Sequence, residues 1–356
     1  MNPFERAARA AWKPRDRRPP WAWCEDHVKV DNSSPMPGRW RSANSPWVKE
    51  PMEVFADNKV RDIVIKCSAQ SAKTQTIICC MLWAIGEDPG PLMWVMAAGD
   101  EVESFVRNRV KPAIEDCEMT NQLLVDDLNA IKLHEINFST LTAYFRGAGS
   151  KSKLQSVPIR WLLLDEVRNY PKGALDTVLK RTRAFWNTRR LIISTPDKID
   201  DPVDRNYKAG DQRVAHAVCP KCGQAAPLKF ANLKWKTNEK TKPDGRYDFD
   251  QLAETIRYEF PCCGHRINDT PANRKRLATG ARFIKQNPKA PRHRVSFHWN
   301  ALLPPWILWR DLVEEYLNAR SAIRAGDVEP MKTFVNESLG DSWEDRLAEI
   351  EDFGDL

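Results

Sequence analysis

Trp161-Leu162-Leu163-Leu164-Asp165-Glu166 is the stretch from which the fold class follows. Four apolar residues that run straight into two carboxylates describe a buried strand with a polar end. A Walker B strand needs that arrangement: the first acid positions Mg²⁺ and the second acts as base for the attacking water. About 100 residues earlier, Asp62-Ile63-Val64-Ile65-Lys66 reads as another strand. It leads into Cys67-Ser68-Ala69-Gln70-Ser71-Ala72-Lys73-Thr74 and then a helical pattern from Lys73 to Gly86, with Ile77, Ile78, Met81, Leu82 and Ile85 on one face. A loop between strand and helix is the place of a phosphate-binding loop. There backbone N–H groups cradle phosphates, a lysine reaches the β/γ-phosphates and a threonine hydroxyl meets Mg²⁺. The strict pattern G-x-x-x-x-G-K-[ST] fails, because Cys67 and Ala72 stand where both glycines belong. Downstream, Leu191-Ile192-Ile193-Ser194-Thr195-Pro196 is a strand ending in two hydroxyls that can sense a γ-phosphate.

Between these lie an apolar run (Leu92 to Ala97), helical patterns from Asp100 to Glu115 and from Gly173 to Trp186, and strands at Thr142 to Arg146 and Arg189 to Ser194. Strand alternating with helix predicts an α/β fold with a mostly parallel central sheet, here a P-loop NTPase of the ASCE/RecA-like kind. A cysteine-bearing, ribbon-like insert and a C-terminal subdomain are expected beside it. The expected division is an N-terminal arm over 1–50, an ATPase core over 51–215, the insert over 216–270, a basic subdomain over 271–340 and an acidic tail or linker over 341–356. Met1 to Pro51 reads as irregular, Asp197 to Asp211 as a polar loop, and Trp306 to Arg324 as an amphipathic helix.

Composition excludes several classes. With 42% hydrophobic residues, 14 Trp and 13 Phe among 356 positions, the chain is too apolar to stay unfolded. No stretch approaches the ~18 apolar residues of a membrane span. The first 18 residues hold six Lys/Arg but no apolar segment of a secretory signal. The net charge of +7 is unevenly spread: Asp341 to Leu356 carries seven acids and one Arg, which leaves about +13 on the rest. Thr270 to Arg294 has eight Lys/Arg and no acid. A basic body suits a polyanion such as nucleic acid, or is a solvated basic surface.

Cys24, Cys67, Cys79, Cys80 and Cys117 are scattered through apolar runs and read as reduced core residues. Cys219-Pro220-Lys221-Cys222-Gly223 is different: two thiolates at this spacing can share a metal across a tight turn. Its partner, Phe260-Pro261-Cys262-Cys263-Gly264-His265, has Phe260 where a first cysteine belongs. Either Cys263 completes a zinc site with Cys262 or His265, or the ribbon has lost its metal. His298, inside Phe297-His298-Trp299, reads as a packed or hydrogen-bonded histidine without chemistry.

Taken in order, these segments resemble the large terminase subunit of tailed phages, of the lambda-like GpA type. The resemblance takes in Pro37-Gly38-Arg39-Trp40-Arg41, Ser45-Pro46-Trp47, the loop Ser68 to Thr74, Leu163 to Val167 and Ser194-Thr195-Pro196. It continues through Asp211-Gln212-Arg213 ahead of the first cysteine pair, Ser296 to Leu302 with Pro305-Trp306, and Phe334 to Gly340. It implies an ATP-driven motor that moves double-stranded DNA into a procapsid in the host cytoplasm. Such a motor works as a homo-oligomeric ring with a small terminase subunit and a portal protein. It implies a nucleotide site of Ser68, Ala69, Gln70, Ser71, Ala72, Lys73 and Thr74 with Trp47 beside the adenine. Thr74 and Asp165 would sit on Mg²⁺, Lys73 and Glu166 would be catalytic, and Ser194 and Thr195 would couple hydrolysis to movement. The family's arginine-finger position falls on Gln155, with Arg146, Lys151 and Lys153 as nearby substitutes. The nuclease domain of full-length members is expected to be absent, and the acidic tail is not expected to cut DNA. Two other classes remain: a DNA-binding or assembly factor that no longer hydrolyses ATP, and a helicase-like ATPase.

Overall fold

A computed structural model describes Glu5, Asp16 and residues 18–31, 36–126, 131–150, 154 and 157–344. The chain forms two compact units. The first is Met1–Val64, Ala72–Ser194 and Pro291–Val295; the second is Ile65–Ser71, Thr195–Ala290 and Ser296–Leu356.

The first unit opens with α1 (Pro20–His27), the paired strands β1 (Lys29–Val30) and β2 (Gly38–Arg39), and α2 (Lys49–Ala56). Among the described residues, the expected irregular arm thus holds two helices and a strand pair. Eight-residue helices are too short to show a period, but α1 buries Trp23 and Cys24, and Trp23 Nε1 donates to Glu87 Oε1 at 2.8 Å. β3 (Asp62–Cys67) then leads to α3 (Lys73–Glu87), which is buried on nearly every side. The sheet of this unit is built from β4 (Leu92–Met96), β5 (Glu135–Asn137), β6 (Thr142–Gly147), β7 (Trp161–Asp165) and β8 (Arg189–Ser194), in the order β5-β6-β4-β7-β8. The β6-β4, β4-β7 and β7-β8 pairs are parallel and only the edge pair β5-β6 is antiparallel.

Parallel strands covered on both faces need continuous apolar runs, and Leu92 to Val95 and Trp161 to Leu164 supply them, all fully buried. Each buried leucine of β7 contributes roughly 2 kcal/mol by leaving water. Trp161 anchors the strand: its ring lies 4.8 Å from Phe55 and 5.9 Å from Trp83, and its Nε1 donates to the Asp88 carbonyl at 2.9 Å.

The helix expected from Asp100 to Glu115 is present in pieces: α4 (Gly99–Phe105), a π-helical stretch Val106–Val110 and α5 (Lys111–Asp116). Pro112 has no N–H to return to the preceding turn, and a wider turn absorbs the loss. After the short α6 (Glu118–Asn121), the helix expected from Gly173 to Trp186 is only α7 (Ala174–Leu179), followed by a 3₁₀ segment, Lys180–Ala184.

In the second unit, Asp197 to Asp211 is not a loop but holds α8 (Pro202–Lys208). Its signals are local: the Asp201 carboxylate accepts from the Asp204 N–H, and Pro202 opens the first turn. Asp204 then pairs with Lys66 Nζ at 3.0 Å. β9 (Arg213–Val218) pairs antiparallel with β10 (Ala225–Pro227) and β14 (Arg282–Lys285), and parallel with β15 (Arg294–Trp299). The insert forms a small antiparallel sheet of β11 (Leu233–Lys234), β12 (Arg257–Glu259) and β13 (Arg266–Asn268), with α9 (Phe249–Ala253) between the first two. The basic stretch forms α10 (Pro271–Gly280), capped by Thr270. The expected amphipathic helix is α11 (Trp309–Arg324), followed by α12 (Glu329–Thr333), a π-helical stretch Phe334–Leu339 and Gly340 at φ +66°. Residues 345–356 of the acidic tail lie outside the described residues.

Candidate nucleotide site

The parallel register of β7 and β8 sets Leu164 beside Ile192 and Asp165 beside Ile193, so the carboxyl ends of the two strands are level. Ligands of α/β sheets bind at such ends. The Glu166 N–H donates to the Ile193 carbonyl at 2.9 Å, and Glu166 takes the left-handed conformation, φ +49°. For a non-glycine residue that conformation is strained and is typical of functional turns.

The turn brings the sequence-selected groups of the first unit together. Lys73 Nζ, from the first turn of α3, meets Glu166 Oε1 at 2.5 Å. Ser194 Oγ donates to Glu166 Oε2 at 3.3 Å and accepts from the Arg168 N–H at 3.3 Å. Arg168 Nε lies 3.9 Å from the same carboxylate oxygen. Ser194, expected to sense a γ-phosphate, touches the carboxylate of Glu166. Arg168 was not singled out from sequence, although its place two residues after Glu166 could have signalled it. Asp165 is buried, and its carboxyl is pushed up to about 7, by burial first and then by the neighbouring charge of Glu166, with Lys73 pulling the other way. Thr74 is half-buried in the first turn of α3, and Thr195 is fully buried. Trp47, expected beside the adenine, is 3% exposed in a 3₁₀ turn.

Ala72, at the second missing glycine, takes φ +68° and caps α3. The backbone thus keeps the conformation that glycine adopts freely, at a cost of about 1 kcal/mol for the extra methyl. Within the second unit the start of the loop is braced from far along the chain. The Ser68 N–H donates to the Trp299 carbonyl at 3.1 Å and the Ala69 N–H to the Glu337 carbonyl at 2.7 Å. Trp306 Nε1 donates to the Gln70 carbonyl at 3.0 Å, and Ser71 Oγ to the Ser68 carbonyl at 2.7 Å. Gly340 packs so tightly that a Cβ there would sit 2.8 Å from Ser68 N and 2.9 Å from Cys67 C. Ser68 Oγ is buried without a hydrogen-bond partner. Within the first unit, a lysine and threonine opening the helix and paired acids at a strand end fit a Mg²⁺–nucleotide.

Two other sequence expectations have outcomes here. Arg146 is buried, with Nη1 donating to the His134 and Phe145 carbonyls and Nη2 paired with Glu135 at 2.7 Å. Lys151, Lys153 and Gln155 lie outside the described residues. His298 is held by the Gly340 carbonyl at 3.1 Å and Asp341 at 3.2 Å, in keeping with a structural histidine. In the insert, the sulfurs of Cys219, Cys222, Cys262 and Cys263 lie within 4.8 Å of one another, and His265 is not among them.

Asp165 provides a pH-dependent expectation. Between about pH 4 and 7 the folded chain holds a proton there that the unfolded chain has released. Stability therefore falls as pH rises through that window, and the loss is complete above about 7. Asp165→Asn removes the penalty, which amounts to roughly 2–4 kcal/mol at most. Thermal melting should rise by a few degrees at about pH 8 and hardly change near pH 4.

A family model described as the phage terminase large subunit gpA ATPase domain matches residues 34–281, and one described as the terminase large subunit gpA endonuclease domain matches residues 294–353. The large terminase subunit of Enterobacteria phage P21 is 23% identical over 92% of this chain and 53% of its own length. That of Escherichia phage lambda is 21% identical over 88% and 51%. The chain thus spans about half the length of these relatives. Among solved structures, the large terminase ATPase domain of Thermus phage P74-26 is 16% identical, with 80% of this chain and 89% of that one covered at a TM-score of 0.43. With more than half of its residues matched by the ATPase-domain model, the chain belongs to the gpA family of phage terminase large subunits.

Proposed function

We propose that the chain is the ATP-hydrolysing motor part of a DNA-packaging terminase, moving double-stranded DNA into a procapsid. The observation that carries this reading is the convergence of Lys73, Glu166 and Ser194 at the ends of α3, β7 and β8, with Asp165 buried beside them. Bound Mg²⁺ would neutralise charge on the phosphates, with Thr74 and Asp165 as the groups able to hold it. Lys73 has two anionic partners to choose from. Without nucleotide it pairs with Glu166; a polyphosphate draws it away and leaves Glu166 with Ser194 and Arg168. The carboxylate is then able to take a proton from water. Ser194, whose Oγ touches that carboxylate and the N–H of Arg168, reports the change to β8 and to Thr195 beyond it.

The basic stretch from Thr270 to Arg294 supplies phosphate contacts that need no base reading. A ring of copies, a portal, a small terminase subunit and the host cytoplasm belong to the same reading, as what a packaging motor requires. The same reading expects no DNA cleavage, although residues 294–353 match the endonuclease-domain model: it gives Asp165 and Glu166 to nucleotide, and His298 pairs with Asp341.

The test is ATP turnover with and without linear double-stranded DNA. Wild-type chain should hydrolyse ATP faster with DNA and leave supercoiled plasmid uncut in Mn²⁺, and Lys73→Ala should hydrolyse none. DNA binding without any turnover would replace the motor with a hydrolysis-deficient assembly factor, and nicking by the wild type would add a nuclease site.

A further inference from the structure

We propose that Cys219, Cys222, Cys262 and Cys263 bind one structural zinc ion as an all-thiolate site. Two turns with the same backbone carry the four residues. In the first, the Cys219 N–H donates to the Gln224 carbonyl at 2.8 Å and the Gly223 N–H to the Cys219 carbonyl at 2.9 Å. In the second, the Phe260 N–H donates to the His265 carbonyl at 2.9 Å and the Gly264 N–H to the Phe260 carbonyl at 2.9 Å. Both turns close on a left-handed glycine, Gly223 at φ +74° and Gly264 at +66°. Position by position, Phe260 therefore stands for Cys219 and Cys263 for Cys222. Phe260 is fully buried, with its ring 5.1 Å from Tyr258 and stacked on His265. It fills the position of the missing ligand with packing, and Cys262, one residue before Cys263, supplies the fourth sulfur instead.

The spacing suits a metal. Cys219 and Cys263 sulfurs are 3.6 Å apart, Cys222 and Cys262 sulfurs 3.3 Å, and all four lie within 4.8 Å of one another. A tetrahedral zinc with bonds of about 2.3 Å separates its sulfurs by about 3.8 Å. The surroundings also need a staple: β11, β12 and β13 are two or three residues long, and Cys222 and Cys263 are exposed. Binding would exchange four thiol protons for Zn²⁺ and tie the end of β9 to the β12–β13 hairpin. Four soft sulfurs in a tetrahedron select zinc over the oxygen-loving divalent ions.

The experiment is independent of nucleotide chemistry. Full chain purified without chelator should carry about one zinc by elemental analysis. Cobalt exchange should give the visible bands and the thiolate charge-transfer band of a tetrahedral all-sulfur site. Cys262→Ser should lose most of the metal and expose residues 219–265 to protease while α3 and β7 stay protected, and His265→Ala should keep the metal. Should Cys262→Ser fail to fold, the wild-type metal content and cobalt spectrum still decide. Folded, protease-resistant wild-type protein that lacks zinc, holds iron in its place, or shows the four cysteines oxidised as disulfides would overturn the proposal.

Discussion

Glu166→Gln should lower ATP hydrolysis by roughly 100-fold or more, the scale of a lost general base, while ATP still binds. The amide keeps the size of the side chain and can still meet Ser194 Oγ, but it cannot accept a proton from water. It also releases Lys73, which in the wild type pairs with Glu166 Oε1 at 2.5 Å. Nucleotide binding should therefore hold or tighten, since Lys73 no longer has to leave a carboxylate to reach phosphate. Single-turnover hydrolysis and equilibrium binding of a fluorescent ATP analogue separate the two effects. Unchanged single-turnover hydrolysis would remove Glu166 from the chemistry. Loss of binding instead would make it a structural partner of Lys73.

The second large effect is expected far along the chain. Gly340→Ala adds a methyl where Ser68 N, Cys67 C and the Trp299 carbonyl already lie within 3.0 Å, and all three are backbone atoms that cannot swing aside. The residue is also held at φ +66°. Overpacking costs typically 1–3 kcal/mol and the left-handed backbone about 1 kcal/mol more. The atoms forced to move begin the nucleotide loop, so nucleotide affinity should fall at least about ten-fold, the effect of losing one well-placed interaction. Gly326→Ala is the control: it has the same sign of φ, +90°, but open space around it. It should cost some stability and leave affinity intact, as calorimetric titration and thermal melting would show.

How much of this was legible differs from segment to segment. β7 and α3 could be read because long apolar runs and a 3.6-residue period survive in any context, and two acids at a strand end have few other uses. The loop could be read from Lys73-Thr74 despite its missing glycines, because Ala72 keeps the left-handed conformation that the second one would have had. α8 was missed since seven largely polar residues show no period; Asp201-Pro202 was its available signal. The cysteine turns were half-read. Spacing alone left Cys262 and His265 as alternatives beside Cys263, whereas in the fold the Phe260 turn brings both adjacent cysteines to the cluster. Arg146 looked available in the sequence because burial and its bond to Glu135 arise only on folding. The bonds of Ser68 and Ala69 to Trp299 and Glu337 join positions more than 200 residues apart, and no local pattern encodes them.

Those bonds bear on how such genes can be cut and recombined. The acceptors at Trp299 and Glu337, and Gly340 itself, lie in the stretch matched by the endonuclease-domain model, yet they secure the opening residues of the nucleotide loop. The border that family resemblance draws between residues 281 and 294 is therefore not a border of folding. A gene fragment ending there would leave β9 without its parallel neighbour β15, and Ser68 and Ala69 without acceptors. Modules exchanged between phages at this point would have to carry everything through Gly340 with the loop, and drift within 294–340 would register first as a change in how residues 68 and 69 are held.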